Sequence, residues 1–489
     1  MKPGFIKTSP IYLTIFLLTF SLLLLLSSQC TMISNGAALD SELELSSEKS
    51  TGDIANNKEK IFKRETIKIL TQNTMLIPFD FVAPAFDQRT NCITDLILKD
   101  YGIVSLQEVY NGSSQNRIIS AWHNMISRDA ENGKFNKWQL EYFNNWYNSL
   151  PGKDKDLWYP LEQARSVAVL AEKKNFWGVK VIDERVNDLE AELIGSPYYV
   201  MGPDRGHLNI RQDSGLIILS KYPIIESSAM TYSSSSGSDR LANKGVVYAR
   251  IQVSSSEGDY LHVFNTHIQA HDYSETRLAQ ISELMDFISK IIKSDKDHIR
   301  PILIVGDFNV AAEKPDNWME LADISPPETE DSTNSEHLDN DIIEYKEFIE
   351  ILDNLSNEQV SITDSWLEIN PGEPGFTWIG KDWITGSKNP YGEIGNQIAT
   401  GTGGPQRIDY IFYFRGAGSH YLEPISISLV PEKPDLLYCL DKDPEDPINR
   451  SPNGCWEISL EDDCSYKSYT VSDHLGLELN FEVGKDNIR

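Results

Sequence analysis

The segment Ile-Leu-Ile-Val-Gly-Asp-Phe-Asn occupies residues 302–309 and indicates the architecture of the chain. Its first four residues form a short apolar run that ends at a glycine, a pattern typical of a β-strand. Asp307 and Asn309 follow directly, and in α/β folds the ends of the strands carry the functional side chains. Alone, an aspartate in this place is more commonly a turn former or a helix cap. The segment therefore predicts a strand with candidate site residues at its end.

Similar runs recur along the chain, and several alternate between apolar and polar residues with a period of two. They lie at residues 66–74, 103–110, 215–225, 246–253, 260–268 and 407–414. Residues 275–293 and 341–355 instead show the apolar spacing of amphipathic helices. This mixture predicts an α/β fold that begins near Glu65, without an internal repeat at a fixed period.

Polar residues stand at the ends of several predicted strands, in six short motifs. In chain order they are Gln72-Asn73-Thr74, Gln107-Glu108, Thr266-His267-Ile268-Gln269-Ala270, Gly306-Asp307-Phe308-Asn309, Arg407-Ile408-Asp409-Tyr410 and Ser472-Asp473-His474. None is specific alone, because a single glutamate is commonly a surface charge and a single histidine is commonly structural. Their order and conjunction carry the information.

In that order, the six motifs resemble the endonuclease/exonuclease/phosphatase superfamily, over residues 65–483. The resemblance implies a four-layer α/β sandwich, in which two packed mixed β-sheets are flanked by helices. It predicts one catalytic domain at residues 65–485, with insertions at about 111–197 and 431–464. Residues 266–270 and 215–223 look most like the sphingomyelinase branch, whereas inositol phosphatases have a different, Arg-bearing segment at the position of 407–409.

The chemistry of phosphodiester cleavage assigns roles to these residues. It requires an in-line nucleophile and neutralisation of charge on the phosphoryl oxygens. Mg²⁺ prefers oxygen ligands, so Glu108 is the first candidate ligand, with Asn73 beside it through its amide oxygen. Mn²⁺ and Ca²⁺ remain alternatives. His474 has an ordinary pKa suited to accepting a proton from water near neutral pH.

The resemblance implies the remaining roles. Asp409 fixes the tautomer of the histidine base, and Asp307 holds the attacking water. Asn309 and His267 form hydrogen bonds with the phosphate as charge develops on it. Asp473 is a carboxylate on the metal side of the site or behind it.

The N-terminal segment, residues 1–37, is predicted to be a signal peptide. Lys2 and Lys7 precede a mostly apolar run at 11–26, and small residues follow it. The run is shorter than the roughly 20 residues that span a bilayer, although an uncleaved membrane anchor remains an alternative. Residues 38–64 are polar and read as a linker. We therefore expect a secreted, extracellular protein.

Cysteines and glycosylation sequons agree with export. The cysteines outside the signal segment are Cys92, Cys439, Cys455 and Cys464. The last three lie close together, so at least one disulfide is expected in the 431–464 segment, and the pairing stays open. The glycosylation sequons begin at Asn111, Asn354 and Asn449.

The 111–197 insertion is rich in aromatic residues, and Trp138, Tyr142 and Trp146 recur every four residues. On a helix they form one stripe. The stripe indicates either a helical subdomain with its own aromatic core or a cap that faces lipid, because aromatic side chains favour the water–bilayer interface.

The formal net charge of −29 separates the possible substrates. Proteins that bind nucleic acid neutralise phosphates with basic groups, so nucleic acid is not expected as the main partner. The leading hypothesis is a magnesium-dependent sphingomyelin phosphodiesterase that acts on membranes or lipid particles through peripheral contact. Alternatives are a secreted nuclease, a phosphodiesterase for another phospholipid or soluble phosphate ester, and a non-catalytic lipid-binding module. The sequence is silent on oligomeric state.

Overall fold

Two six-stranded mixed sheets form the frame of the protein. The computed structural model describes residues 65–77, 86–149, 196–203, 212–256, 258–294, 300–313, 335–353, 361–380, 399, 404–416, 420–430 and 471–485, and short strand segments at 173–174, 180–181, 324–325, 384–385, 435–439 and 466–470. These short segments form three two-stranded ribbons outside the two sheets.

The strands of the sheets and the helices have the following bounds. The strands are β1 (Glu65–Leu76), β2 (Ile103–Val109), β3 (Tyr199–Met201), β4 (Ile217–Ser220), β5 (Ile224–Thr231), β6 (Gly245–Gln252), β7 (Tyr260–His267), β8 (Ile302–Asp307), β9 (Thr363–Asp364), β10 (Asp409–Phe414), β11 (His420–Val430) and β12 (Gly476–Lys485). The α-helices are α1 (Phe86–Ile97), α2 (Gly112–Glu131), α3 (Lys137–Ser149), α4 (Ser274–Ser294), α5 (Ser335–Asp353) and α6 (Ser365–Ile369).

Each sheet contains one parallel pair within otherwise antiparallel neighbours. The first sheet has the order β11-β12-β1-β2-β4-β3, and β1 and β2 are parallel. The second has the order β9-β10-β8-β7-β6-β5, and β7 and β8 are parallel. A helix lies between the two parallel strands along the chain in both cases, α1 in the first sheet and α4 in the second. Such a crossover is the usual connection of parallel strands.

Side chains alternate between the two faces of each sheet and separate three apolar clusters. Ile69 of β1 and Leu303 of β8 belong to the cluster shared by the two sheets. The adjacent Leu70 packs in the cluster that includes α1, α2 and α3, and Ile304 packs in the one that includes α4 and α5. The sheets therefore pack face to face, with helices against their outer faces, and the predicted α/β class is confirmed.

The single strand predicted at residues 215–225 is wrong. Residues 217–220 form β4 in the first sheet, whereas Ile224–Thr231 forms β5 in the second. The chain passes between the sheets through Lys221, Tyr222 and Pro223, and a proline cannot donate to a ladder. Apolar residues stand on both sides of the break, buried in β4 and half-buried at Ile224 of β5, so sequence alone does not show that two strands are present.

The described half of the aromatic insertion is helical and packs inward. Trp122 of α2 is fully buried, and Phe143 of α3 is buried in the same cluster as the outer face of the first sheet. Trp146 packs against this cluster, and Trp138 stacks on Tyr222. This favours the helical-subdomain interpretation for residues 112–149, with a core that is shared with the sheet.

Several predictions fall wholly or partly outside the described residues. These are the signal peptide, the linker, most of the 431–464 segment, and Cys455, Cys464, Asn354 and Asn449. Cys92 is buried on α1, and Cys439 ends a ribbon strand. Asn111 caps α2, where its side chain accepts from the Ser113 amide at 2.8 Å. Disulfide pairing and glycosylation stay predictions. Of the helices that the structure describes, none is long and apolar enough to cross a membrane.

Candidate active site

The ends of neighbouring strands bring the predicted site residues together. His267 of β7 is opposite Asp307 of β8, and Asp307 is opposite Asp409 of β10. Residues directly opposite in a sheet share a face, with Cβ atoms about 5 Å apart, so these three side chains form a row. In the first sheet, Asn73 of β1 is opposite Gln107, which precedes Glu108.

Unusual backbone conformations aim two of the side chains. Glu108 has φ +59° and Asn309 has φ +51°, a left-handed conformation that is uncommon for residues other than glycine. Gly215 packs against the backbone of Glu108. It has φ +64°, and a Cβ there would lie 2.9 Å from the Val109 nitrogen and 3.0 Å from the Glu108 Cα. A glycine is therefore required at 215 for the chain to approach Glu108 so closely.

Asn73, Glu108, His267 and Asp307 form one polar cluster. The Asn73 Nδ2 donates to Asp307 Oδ2 at 2.9 Å and to Glu108 Oε1 at 3.2 Å. The Nε2 atom of His267 lies 3.4 Å from each of these two carboxylate oxygens. The Glu108 side chain is 18% exposed, whereas those of His267 and Asp307 are 1% exposed. Of these three side chains, Glu108 is therefore the one that solvent reaches.

His474 lies on another side of Asp307 and pairs with Asp409. Its Nδ1 is 2.8 Å from Asp409 Oδ2, and its Nε2 is 3.9 Å from Asp307 Oδ2 and 4.0 Å from Asp473 Oδ1. An ionised carboxylate only accepts hydrogen bonds, so Asp409 fixes the Nδ1–H tautomer. The Nε2 atom is then directed toward the site.

Buried hydrogen bonds hold the backbone of this pair. The Thr377 hydroxyl oxygen accepts from the Ile408 and Asp409 amides at 3.2 Å each. Gln72 donates from Nε2 to the His474 carbonyl at 3.0 Å. No sequence motif indicates Thr377, because its partners are more than thirty residues away.

Lys244 is the main site residue that sequence reasoning missed. Its ammonium lies 2.9 Å from His267 Nε2 and 2.9 Å from Asp239 Oδ2, and it donates to the Ile268 carbonyl at 2.6 Å. Lys244 is 5% exposed. It belongs to none of the strand-end motifs, and lysine is ordinarily a surface residue, so only the folded structure shows that it is a fixed positive charge in the site.

Three carboxyl groups of the site have raised pKa values. Burial and the charge of Asp473 raise the pKa of Glu108 to about 7, against the opposing effect of Lys244. Burial and the charge of Asp409 raise the pKa of Asp307 to about 6. Burial also raises the pKa of Asp473. Negative charge in this cluster is therefore undercompensated by the described protein groups alone.

The two histidines shift in opposite directions. Burial, Lys244 and His474 together lower the pKa of His267 well below its ordinary value, which keeps this ring neutral. Burial would lower the pKa of His474 as well, but the carboxylates of Asp409, Asp473 and Asp307 outweigh it and raise that pKa well above its ordinary value. The environment therefore makes His474 the stronger base.

The donor set fits a divalent cation. Ligand atoms of Glu108, His267 and Asp307 lie within 4.8 Å of one another, and the same holds for Asp307, Asp409 and His474. Carboxylate oxygens are the ligands that Mg²⁺ prefers. The raised pKa values of Glu108 and Asp307 show that a positive charge here would stabilise the ionised carboxylates.

The structure brings all eight predicted site residues together, with two details that bear on their roles. The Asn73 amide oxygen accepts from the Met75 amide at 3.1 Å, so ligation of a metal through this oxygen requires the amide to turn over. Asn309 donates from its backbone to Asp307 Oδ1 at 2.9 Å and from Nδ2 to the Ile268 carbonyl at 3.1 Å. The Asn309 amide oxygen forms no hydrogen bond with Asp307 or Ile268.

Comparison with known proteins adds a family and several relatives. The model described as Endonuclease/Exonuclease/phosphatase family matches residues 83–474, which is most of the chain. A sphingomyelinase of Dictyostelium discoideum is 32% identical over 151 residues, covering 25% of this chain and 32% of that protein. Sphingomyelinase C of Bacillus cereus is 36% identical over 107 residues, covering 20% of this chain and 30% of that protein. The chain thus matches about a third of the length of these relatives.

One solved structure aligns over most of both chains, but at low identity. The beta toxin of Staphylococcus aureus aligns with 84% of this chain and 99% of its own, at 16% identity and a TM-score of 0.42.

Proposed function

The chain belongs to the endonuclease/exonuclease/phosphatase family, and from that premise we propose that it is a metal-dependent phosphodiesterase that hydrolyses sphingomyelin to ceramide and phosphocholine. The observation that carries the proposal is the His474–Asp409 pair beside the carboxylates of Glu108 and Asp307. A base with a fixed tautomer next to a cluster that fits a cation is what hydrolysis of a phosphodiester requires.

Glu108 would hold the cation, with Asp307 and, after its amide turns, Asn73. We propose Mg²⁺, with Mn²⁺ or Ca²⁺ as the alternatives. Bound there, the ion supplies Lewis-acid stabilisation of the phosphoryl and leaving oxygens. Asp473 is close to His474 and contributes negative charge to this region.

His474 accepts the proton of the attacking water at Nε2. Asp409 accepts the Nδ1–H bond at 2.8 Å and stabilises the imidazolium that forms. Asp307 lies 3.9 Å from the same Nε2, so a water molecule can bridge the two groups and be oriented by them. These contacts support our proposal that His474 is the general base and that Asp307 orients the water.

Asn309 and Lys244 provide donor or positive groups at the site. The Lys244 ammonium lies beside His267 Nε2, and the Asn309 Nδ2 donates to the Ile268 carbonyl. Groups of this kind stabilise charge as it develops on a phosphate, because they are oriented before the reaction. Together with His267, they form the proposed phosphate-binding side of the site.

The substrate is proposed from charge and from the relatives. A net charge of −29 disfavours a polyanion but is compatible with a zwitterionic headgroup. The two relatives described above are named as sphingomyelinases. A secreted nuclease, another phosphodiesterase and a non-catalytic lipid-binding module are the competing functions.

The deciding experiment compares three substrates with and without added Mg²⁺. We expect release of phosphocholine from sphingomyelin vesicles, slower release from phosphatidylcholine and no acid-soluble fragments from DNA. Cleavage of DNA alone would establish the nuclease instead. Vesicle binding with no hydrolysis of any substrate would establish the binding module.

Site variants test the assignment of residues. Glu108→Gln and His474→Ala should each lose activity, whereas Glu347→Gln, which changes an exposed glutamate on α5, should keep it. If the two site variants hydrolyse sphingomyelin as fast as the parent, the roles of Glu108 and His474 are wrong.

The proposal also includes export and peripheral contact with membranes. Residues 1–37 would be removed as a signal peptide, and the mature protein would be found outside the cell. N-terminal sequencing of protein from the medium tests this directly. Protein that keeps residues 1–37 and stays with the membrane fraction would support the anchored alternative.

A further inference from the structure

Arg89 is a fully buried arginine on α1 that contacts backbone carbonyls next to the site residues. It is absent from the strand-end motifs, and its charge opposes the rise in the pKa of Asp473. A guanidinium with no exposure must be stabilised by hydrogen bonds, because burying an uncompensated charge is costly. Its partners show what it does.

The guanidinium joins two backbone segments that are distant in sequence. Its Nη2 donates to the Thr74 carbonyl at 2.9 Å and to the Met75 carbonyl at 2.7 Å, directly after Asn73. Its Nε donates to the Val471 carbonyl at 2.9 Å, just before Asp473 and His474. One side chain therefore fixes the separation of the segment that carries Asn73 from the segment that carries His474.

The first segment needs such a partner. The β1–β2 register shifts between Asn73 and Leu76, and Met75 has φ +46°, so the regular ladder is interrupted there. Carbonyls released from a ladder must bond elsewhere when buried. The Ser472 hydroxyl also donates to the Asn73 carbonyl at 2.6 Å, which links the same two segments a second time.

We propose that Arg89 is a positioning residue that aligns the base segment with the cation-binding side of the site. This inference rests on the proposed function in its general form, hydrolysis of a phosphodiester, and not on sphingomyelin. A lysine keeps the charge but concentrates its donors at one atom, whereas the planar fork of arginine reaches carbonyls on both segments. Arg89→Lys therefore separates the alignment from the charge.

The test measures kcat, KM and thermal midpoint for Arg89→Lys and Arg89→Met, with sphingomyelin and with soluble bis(4-nitrophenyl) phosphate. We expect kcat to fall about 10- to 100-fold in Arg89→Lys and further in Arg89→Met, because small displacements of reacting groups are costly, while KM changes by less than about threefold.

Arg277→Met is the matched control. Arg277 is another buried arginine on a helix, paired with Glu344 of α5 at 2.5 Å and without contact to site side chains. Its loss leaves a buried glutamate unpaired and should lower the thermal midpoint, with kcat near that of the parent below that midpoint. An equal loss of kcat in Arg277→Met, or an unchanged kcat in Arg89→Lys, would overturn the proposal.

The two substrates separate this inference from the substrate assignment. Turnover of the soluble diester without turnover of sphingomyelin would refute the lipid and leave the Arg89 comparison decisive. A parent that turns over neither substrate refutes the phosphodiesterase and the positioning role together. If Arg89→Met fails to fold, Arg89→Lys alone decides between the outcomes.

Discussion

Asp409→Asn removes one negative charge from the base pair and keeps the shape of the side chain. In the parent, Asp409 Oδ2 lies 2.8 Å from His474 Nδ1, and the Thr377 hydroxyl holds the Asp409 amide. The asparagine should therefore stay in place. It can present an amide N–H to Nδ1, which reverses the tautomer and directs a proton rather than a lone pair into the site.

The expected loss follows from what the pair supplies. General base catalysis contributes roughly 10²- to 10⁴-fold, so we expect kcat/KM of Asp409→Asn to fall within that range. This corresponds to about 3 to 5 kcal/mol of transition-state stabilisation. The carboxylate of Asp409 also helps to raise the pKa of His474, together with Asp473 and Asp307 against burial. Its removal should therefore lower that pKa.

The pH profile of kcat/KM provides the assay. His474 must be neutral to act as the base, so the acidic limb should move to lower pH in Asp409→Asn. The raised pKa of His474 stabilises the fold fully when the pH is below the histidine pKa of the unfolded state. This contribution is lost as the pH rises through the pKa of the folded state, which is the opposite of the behaviour of a carboxylate with a lowered pKa. Urea unfolding should show the largest destabilisation by the variant in acid. A profile with an unshifted limb and less than about a tenfold loss would refute the base assignment.

Further predictions concern the cation side of the site. Gly215→Ala should reduce kcat at least about tenfold, because the added Cβ would displace Glu108. The control is Gly133→Ala, which also lies at positive φ but has nothing within 4 Å of the added Cβ, so it should lower stability only. Equal losses of kcat in the two variants would contradict this. The Mg²⁺ concentration for half-maximal activity should rise as pH falls from about 8 to 6, because protons compete for Glu108, whose pKa is about 7 without the ion. Calorimetry at several pH values checks this, and an affinity for Mg²⁺ that does not change with pH would contradict it. Lys244→Met should raise the pKa of both His267 and Glu108, because the lysine lowers both pKa values. It should also reduce kcat about 100-fold, with partial recovery in Lys244→Arg. Parent-like kinetics of Lys244→Met would exclude a role for this charge.

The sequence predicted the strand-end residues well for a physical reason. Apolar runs such as 302–305 form buried strands, and the polar residue after each run lies at the end of its strand. Register then makes His267, Asp307 and Asp409 neighbours without further information. What could be predicted is thus what depends on strand order and the period of two.

The residues that sequence reasoning missed depend on contacts across the fold. Lys244 and Arg89 look like ordinary surface charges in the sequence, and both are buried by partners in distant segments. The left-handed conformation of Glu108 is likewise set by the approach of Gly215, more than a hundred residues later. Tertiary packing decides such features, and a period or a motif does not report them.

Charge acts at two scales in this protein, and only one of them concerns catalysis. The net charge of −29 belongs to the whole chain, and water and salt screen those of its charges that are exposed. The carboxylates of Glu108 and Asp307 are removed from that screening. Burial raises the pKa of both groups, and the charge of Asp473 adds to the effect at Glu108 as that of Asp409 does at Asp307. Rigid strand ends prevent these groups from moving apart, and Lys244 compensates only part of the charge. A cation bound there would therefore stabilise the ionised carboxylates, and it would also act on His474, whose Nε2 lies 3.9 Å from Asp307.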